Sequence, residues 1–432
     1  MLSLLPLFLV ITAVDDPEYL DREERSLTQS ISSKSTLGDV VVIGNERTRL
    51  SVIRRELGLE SGDMIDCRDL AVFEQRLFNL EVFSVVTMRC VSGSVPNAVA
   101  LEVTVDERWT LVGVPVVASS DNGFRVGAFV LESNFLGTLS RVGAGGFYSP
   151  QGTQAFSIYQ NPSFIAEKGL LELRARFFDG PKTRFDFDEE LQAFDDQLFQ
   201  VEALVGYAFG QSVFNQGLNF YVGAFVSDGS AGNVTGDVRD GVAVEPALTR
   251  DLQWGPLLTL RLDQQDFDIF AARGLRAEFT FGLAPDSLGS SRSLVRFDTL
   301  ANYGIATSWG HAISLTGNLV IRDGDEFLDA RQFGGAAGVR GFRDQGVWAE
   351  RAVFGTVEYL VPMFDWGGTW ALAGFADVGA FTWREEDVNY VNPGTGFRFF
   401  LRDVAFPAVG IDVTYNTVDD VVRASALIGF AP

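Results

Sequence analysis

"LLELRARFF", residues 170–178, alternates without a break: Glu172, Arg174 and Arg176 share one parity, and Leu171, Leu173, Ala175 and Phe177 share the other. Side chains of a strand point to opposite faces in turn, so the stretch reads as a strand with one charged and one apolar face. The pattern recurs. "LRAEFTFGL" (275–283) sets Arg276, Glu278 and Thr280 against Ala277, Phe279, Phe281 and Leu283. "ISLTGNLVI" (313–321) sets Ser314, Thr316 and Asn318 against Leu315, Leu319 and Ile321, and "VVRASALIGF" (421–430) sets Arg423 and Ser425 against Val422, Ala424, Ala426 and Ile428. So many charged faces would be wasted on a soluble core. They suit a barrel with lipid outside and water inside.

Connection lengths sharpen this reading. About sixteen strands are expected between residues 109 and 431. Short turns near 134–137, 264–270, 307–310 and 362–369 alternate with long polar loops near 180–198, 228–253, 323–350 and 383–393. Short turns on one rim and long loops on the other are the pattern of Gram-negative outer-membrane barrels. An even strand number returns both barrel ends to the periplasmic side. Trp109, Trp254, Trp309, Trp366, Trp370 and Trp383 fall near expected strand ends, where aromatic girdles mark the two membrane interfaces.

The chain ahead of the barrel divides into three. Residues 1–13 form an apolar run expected to be a signal peptide, and 14–35 a polar linker. Residues 36–108 have a core of their own. "GDVVVIGN" (38–45) is a strand, "TRLSVIRRELGL" (48–59) a helix capped by Thr48, and "CRDLAVFEQRLFNLEVF" (67–83) a second helix with Leu70, Phe73, Leu77 and Leu80 on one stripe. "SVVTMRCV" (84–91) and "AVALEVTVDE" (98–107) close a β-α-α-β-β unit. Cys67 and Cys90 fall within it, either as a disulfide in an oxidising periplasm or as two buried thiols.

Composition excludes several functions. A net charge of −23 argues against nucleic acid as a partner. With His311 the only histidine, no G-x-S-x-G elbow and no Cys/His metal spacing, neither a histidine-based triad nor a zinc centre can be assembled. No catalytic residue, metal or cofactor is assigned, and the chain is not expected to be an enzyme. The acidic stretches at 179–197 and 321–327 lack the ligand spacing of an EF-hand.

Three motifs carry a family resemblance. "VVVIGNERTRLSVIRRELGLESGD", "LAVFEQRLFNLEVFSVV" and "LEVTVDE" together resemble a POTRA (polypeptide-transport-associated) domain. "GVRGF", comprising Gly338, Val339, Arg340, Gly341 and Phe342, resembles the VRGF/Y signature in the sixth external loop of the outer-membrane superfamily of barrel-assembly factors and two-partner-secretion transporters. "FADVGAF" is similar to that superfamily's F-x-D-x-G motif on the thirteenth barrel strand, with Phe375, Asp377 and Gly379 in the matching places. The chain departs from the assembly factors in having one POTRA unit where they usually carry several.

Parity places two acids inside the barrel. Asp377 lies opposite Val378 and Ala380, and Glu358 opposite Val357, Tyr359 and Val361, so both face the lumen and each prefers a neighbouring cation. The resemblance implies that the long loop folds back and sets Arg340 against them. An arginine suits that role because its planar fork can bond a carboxylate twice.

The resemblance further implies an outer-membrane protein whose POTRA domain, in the periplasm, captures unfolded client polypeptides for insertion, with accessory periplasmic proteins as further partners. Dedicated secretion of one polypeptide is the alternative, and a passive channel a third.

Overall fold

The computed structural model describes residues 34–428 except 81, 94–97, 121–122, 166–167, 187–188, 210–216, 236–249, 269–270, 325–328, 336–338, 344–345, 384–385 and 402–406. The expected signal peptide, most of the linker and Gly338 lie outside the described residues.

The N-terminal domain runs β1 (Lys34–Ile43), α1 (Leu50–Leu57), β2 (Met64–Asp66), α2 (Ala71–Phe78), β3 (Phe83–Ser92) and β4 (Ala98–Glu107). The sheet order is β2-β1-β4-β3, with β1 parallel to β4 and the other pairs antiparallel. Ile53 and Leu57 from α1, Leu77 from α2, and Leu101 and Val103 from β4 are fully buried in one cluster.

Four expectations change here. The unit is β-α-β-α-β-β rather than β-α-α-β-β, because the join between the helices forms β2, three residues long and too short to show a period. β1 begins at Lys34, so the end of the expected linker is already strand. Thr48 does not cap α1; Arg49 stands at the N-cap without a side-chain bond. Thr48 is buried instead, its N–H donating to Glu107 at 2.6 Å and its hydroxyl accepting from Asn134 at 2.8 Å. Cys67 sits in the turn before α2, not in it, and is joined to Cys90 of β3 by a disulfide with a Cα–Cα separation of 5.8 Å.

The remaining strands, in order, are β5 (Leu111–Ser120), β6 (Gly123–Phe135), β7 (Ser140–Ser149), β8 (Gly152–Asn161), β9 (Gly169–Asp186), β10 (Glu189–Ala208), β11 (Gly217–Thr235), β12 (Asp251–Asp268), β13 (Ala271–Ala284), β14 (Leu294–Ala306), β15 (Ala312–Asp323), β16 (Arg331–Phe333), β17 (Val347–Ala349), β18 (Arg351–Asp365), β19 (Gly368–Trp383), β20 (Glu386–Leu401), β21 (Pro407–Asn416) and β22 (Val421–Ile428). All but β16 and β17 close one antiparallel barrel of sixteen strands. β16 and β17 pair with each other inside the connection from β15 to β18. Phe279, Leu258, Val222, Tyr303 and Val353 are exposed on the outer wall, whereas Glu172, Arg261 and Asp377 are buried within.

Two expected long loops are strands. Residues 180–198 continue the β9–β10 ladder to Asp186 and Glu189, and most of 383–393 belongs to β20, paired with β19 from Glu386↔Trp383 onward. Losing an apolar face does not end pairing, since a ribbon in water can be polar on both sides. Loss of alternation therefore does not mark the end of a strand.

The two units are joined at the turn between β6 and β7. Leu139 is 1 % exposed and belongs to the N-terminal domain's core cluster. The backbone N–H of Arg49 donates to the Gly137 carbonyl at 3.0 Å, and its Nε to the Leu136 carbonyl at 3.2 Å. Gly137 has φ +70°, and a Cβ there would stand 2.1 Å from the Arg47 carbonyl oxygen. The domain is thus docked under the first hairpins of the barrel. Leu139→Ala should cost this dock about 2–5 kcal/mol, as for other large-to-small core changes. Amide exchange across residues 34–107 should speed up while the barrel strands stay protected; unchanged exchange would show that the turn does not anchor the domain.

Candidate functional site

β18, β19 and β20 run side by side, and their register sets the site. Thr356 is paired with Asp377, and Asp377 with Asn392, in one cross-strand row. The next row holds Glu358, Phe375, Gly394, Thr414 and Arg423, from β18 to β22. All of these positions have inward parity, so two adjacent rows offer one acidic patch to the lumen.

The connection between β15 and β18 folds into the barrel and brings Arg340 to that patch. Its Nε donates to Asp377 Oδ2 at 3.0 Å and its Nη2 to Asp377 Oδ1 at 2.8 Å, a two-pronged fork. The backbone N–H of Arg340 adds a third bond to Asp377 Oδ2 at 2.8 Å, and Nη1 reaches Glu358 Oε2 at 2.8 Å. The guanidinium carbon lies 3.4 Å from the Phe375 ring centroid, stacked on the aromatic face. Arg340 and Asp377 are 7 % and 1 % exposed, so the pair is screened from water on nearly every side. Cut off from solvent, a charge of either sign is costly alone and needs its partner in place.

A second ring of residues completes the site, and the sequence reading did not single it out for this role. Arg398 donates to Glu358 at 2.9 Å and to Asp412 at 2.6 Å, so two arginines meet three carboxylates. Thr356 Oγ1 donates to Asp377 at 2.7 Å. Asn392 donates to the Arg340 carbonyl at 3.0 Å; Asn416 and Arg423 donate to the Gly341 carbonyl at 2.9 and 2.6 Å. The inward parity of Arg398 in "GFRFF" and Asp412 in "GIDVTY" was readable, but parity names a face and not a partner.

The remaining motif residues take packing roles. Val339 is buried, and Phe342 meets Phe381 and Tyr390 edge-on, at 5.9 and 5.1 Å between centroids. Gly341 has φ +93°, and a Cβ on it would lie 2.8 Å from Asn392 Nδ2, so a side chain there would push the loop off the wall. Gly379 faces Tyr390, whose hydroxyl would be 2.7 Å from any Cβ. Gly334, at φ +128°, turns the chain against the Arg343 carbonyl.

A docked loop, an Arg–Asp fork on the thirteenth barrel strand and a β-α-β-α-β-β domain beneath the barrel can now be set beside known proteins. The Omp85 superfamily domain matches residues 134–420. The chain belongs to the Omp85 superfamily. The POTRA family, described as a surface antigen variable number repeat, matches residues 35–108. Among solved structures, BamA from Haemophilus ducreyi lacking POTRA domains 1-3 is similar at 15 % identity, over 92 % of this chain and 85 % of that one, with a TM-score of 0.63. CdiB from Acinetobacter baumannii (12 % identity, 92 % and 74 % covered) and CdiB from Escherichia coli (11 %, 92 % and 76 %) each give a TM-score of 0.61. At such identities these likenesses speak for the fold alone. No curated protein matches. Membership of Omp85, with a POTRA domain, makes this an outer-membrane protein for inserting or secreting polypeptides.

Breaking the fork should be expensive. Arg340→Ala takes the fork from Asp377 and leaves Glu358 to Arg398, and removing one partner of a buried pair typically costs about 3–5 kcal/mol. Arg340→Ala combined with Asp377→Ala should therefore melt no lower than Arg340→Ala alone in detergent. A double variant as unstable as the sum of the two singles would show that the pair is not coupled.

Proposed function

We propose that this Omp85 protein is an insertion factor, which captures unfolded clients through its POTRA domain and passes them into the bilayer through the junction of β5 and β22. The observation carrying this reading is that β5 and β22, the first and last strands of the barrel, are neighbours that no connecting segment ties together. β22 meets β5 along Ala426–Ile428 against Val117–Ser119, and parting them breaks backbone pairing with no turn to unravel. A barrel opens most cheaply where no chain connection has to stretch, since each unpaired amide in lipid already costs several kcal/mol. Once parted from β22, the β5 edge offers backbone groups to an incoming strand.

The lumen supports the same choice. A route through the barrel would have to displace the loop that holds Arg340, along with its fork to Asp377 and its bond to Glu358. Parting the junction leaves that fork intact. The POTRA domain, docked at the β6–β7 turn, sits next to β5, so a client strand held at its sheet edge would arrive close to the junction. Dedicated secretion of one polypeptide is the alternative within the same superfamily.

Ala118 and Leu427 are Cα partners across the junction, so a disulfide from Ala118→Cys with Leu427→Cys would lock it. Under oxidising conditions the locked protein should fail to support many unrelated barrels in the outer-membrane proteome, and reductant should restore them. Loss of one secreted protein with an unchanged membrane proteome would overturn the insertion reading and favour secretion.

A further inference from the structure

The external half of the lumen contains a cavity of about 100 Å³, walled by β9 and β10 on one side, β14 and β15 on another, and the β16–β17 hairpin above. Its wall is rich in cations: Arg176, Arg296 and Arg322 line it together with Lys182 and Arg292. Arg296 and Arg322 are direct cross-strand partners, an arrangement of like charges that is unfavourable unless something lies between them.

Most of these cations have a carboxylate. Arg296 pairs with Glu202 at 2.8 Å, Arg322 with Asp298 at 2.7 Å, Arg292 with Asp251 at 2.8 Å, and Lys182 with Asp196. Asp298 is also shared with Arg331 at 2.8 Å. Arg176 is different. Its hydrogen bond goes to the neutral amide oxygen of Gln200, and among the described residues no carboxylate lies within ion-pair distance of it. The Nε atoms of Arg176, Arg296 and Arg331 are buried without a hydrogen-bond partner. Arg296 and Arg331 are each 7 % exposed. Water could satisfy these N–H groups but could not supply the counter-charge that Arg176 lacks at ion-pair distance.

We propose that this cavity is an anion site for a phosphate-type oxyanion, free or carried on a larger molecule, with Arg176 as its principal ligand and Arg296 as a second. A tetrahedral oxyanion presents several acceptor oxygens to the unpaired edges of two guanidinium groups, whose fork geometry matches it. Gln200 holds Arg176 in place. Bound there, the anion would separate Arg296 from Arg322 electrostatically and tie the wall strands to the hairpin carrying Arg331. The site is distinct from the Arg340 fork and from the β5–β22 junction.

The test uses the full-length protein in detergent, with inorganic phosphate as the probe and sodium chloride at matched ionic strength as the control. Phosphate should bind saturably by calorimetry and raise the melting temperature. Arg176→Gln should weaken binding at least about tenfold, the loss of one charge-assisted fork. Arg176→Lys, which keeps the charge, should bind with intermediate strength and guards against a folding defect in the glutamine variant. Arg250→Gln, at an exposed external pair with Asp228, should bind as the unaltered protein does. Competition by a phosphorylated glycolipid in micelles, against phosphate alone, separates a carried phosphate from a free one. Absence of saturable binding, or equal binding by the unaltered protein and Arg176→Gln, would overturn the proposal.

Discussion

In lipid, the backbone amides of a strand find partners only on another strand, and the other features of this protein follow from how that constraint is met. Sixteen strands close on themselves and satisfy one another around the ring. Closure is uneven. Fifteen of the sixteen neighbouring pairs are also tied by the chain, while β22 and β5, the barrel's two ends, are not. The wall is thus a continuous hydrogen-bonded surface closed where the barrel's two ends meet, and the POTRA domain is docked two strands away through Leu139 and Gly137.

Closure also fixes the chemistry inside. Because alternate side chains face lipid, the others have to face the lumen, where charges can be kept only in pairs or in contact with water. Arg340 takes the strictest form of that rule. It is carried in by a loop and not a strand, and it is held by both oxygens of Asp377, by Glu358 and by the Phe375 ring. Carbonyl bonds from Asn392, Asn416 and Arg423 fasten the backbone on either side of the peptide that follows it. The loop is therefore fixed at its charge and at its main chain at once, which is why glycine stands at position 341, where a side chain would collide with Asn392.

Much of this was legible in the sequence, because a barrel in a membrane writes its architecture as parity. Alternation in "LLELRARFF" and its counterparts carried the strands and their inward faces, and motif order carried the loop and the strand that receives it. What parity could not carry was length and partnership. Residues 180–198 lose their apolar face yet remain strand, since pairing does not need lipid. β2 is too short to have a period, and Thr48 looked like a helix cap because its true partner, Asn134, is far away in the chain. Arg398, Asp412, Asn392 and Asn416 sat on the correct face, but only the register between strands brings them to Arg340.

The central claim is that clients leave through the wall and not through the lumen. A photoreactive residue placed at Val117, exposed on the β5 edge, and another at Asn302, on the inner face of β14, distinguish the two directly in living cells. Crosslinks from Val117 to many different nascent barrels, with few from Asn302, are the result this account predicts. Crosslinks from Asn302 to a single exported polypeptide, with none from Val117, would contradict it.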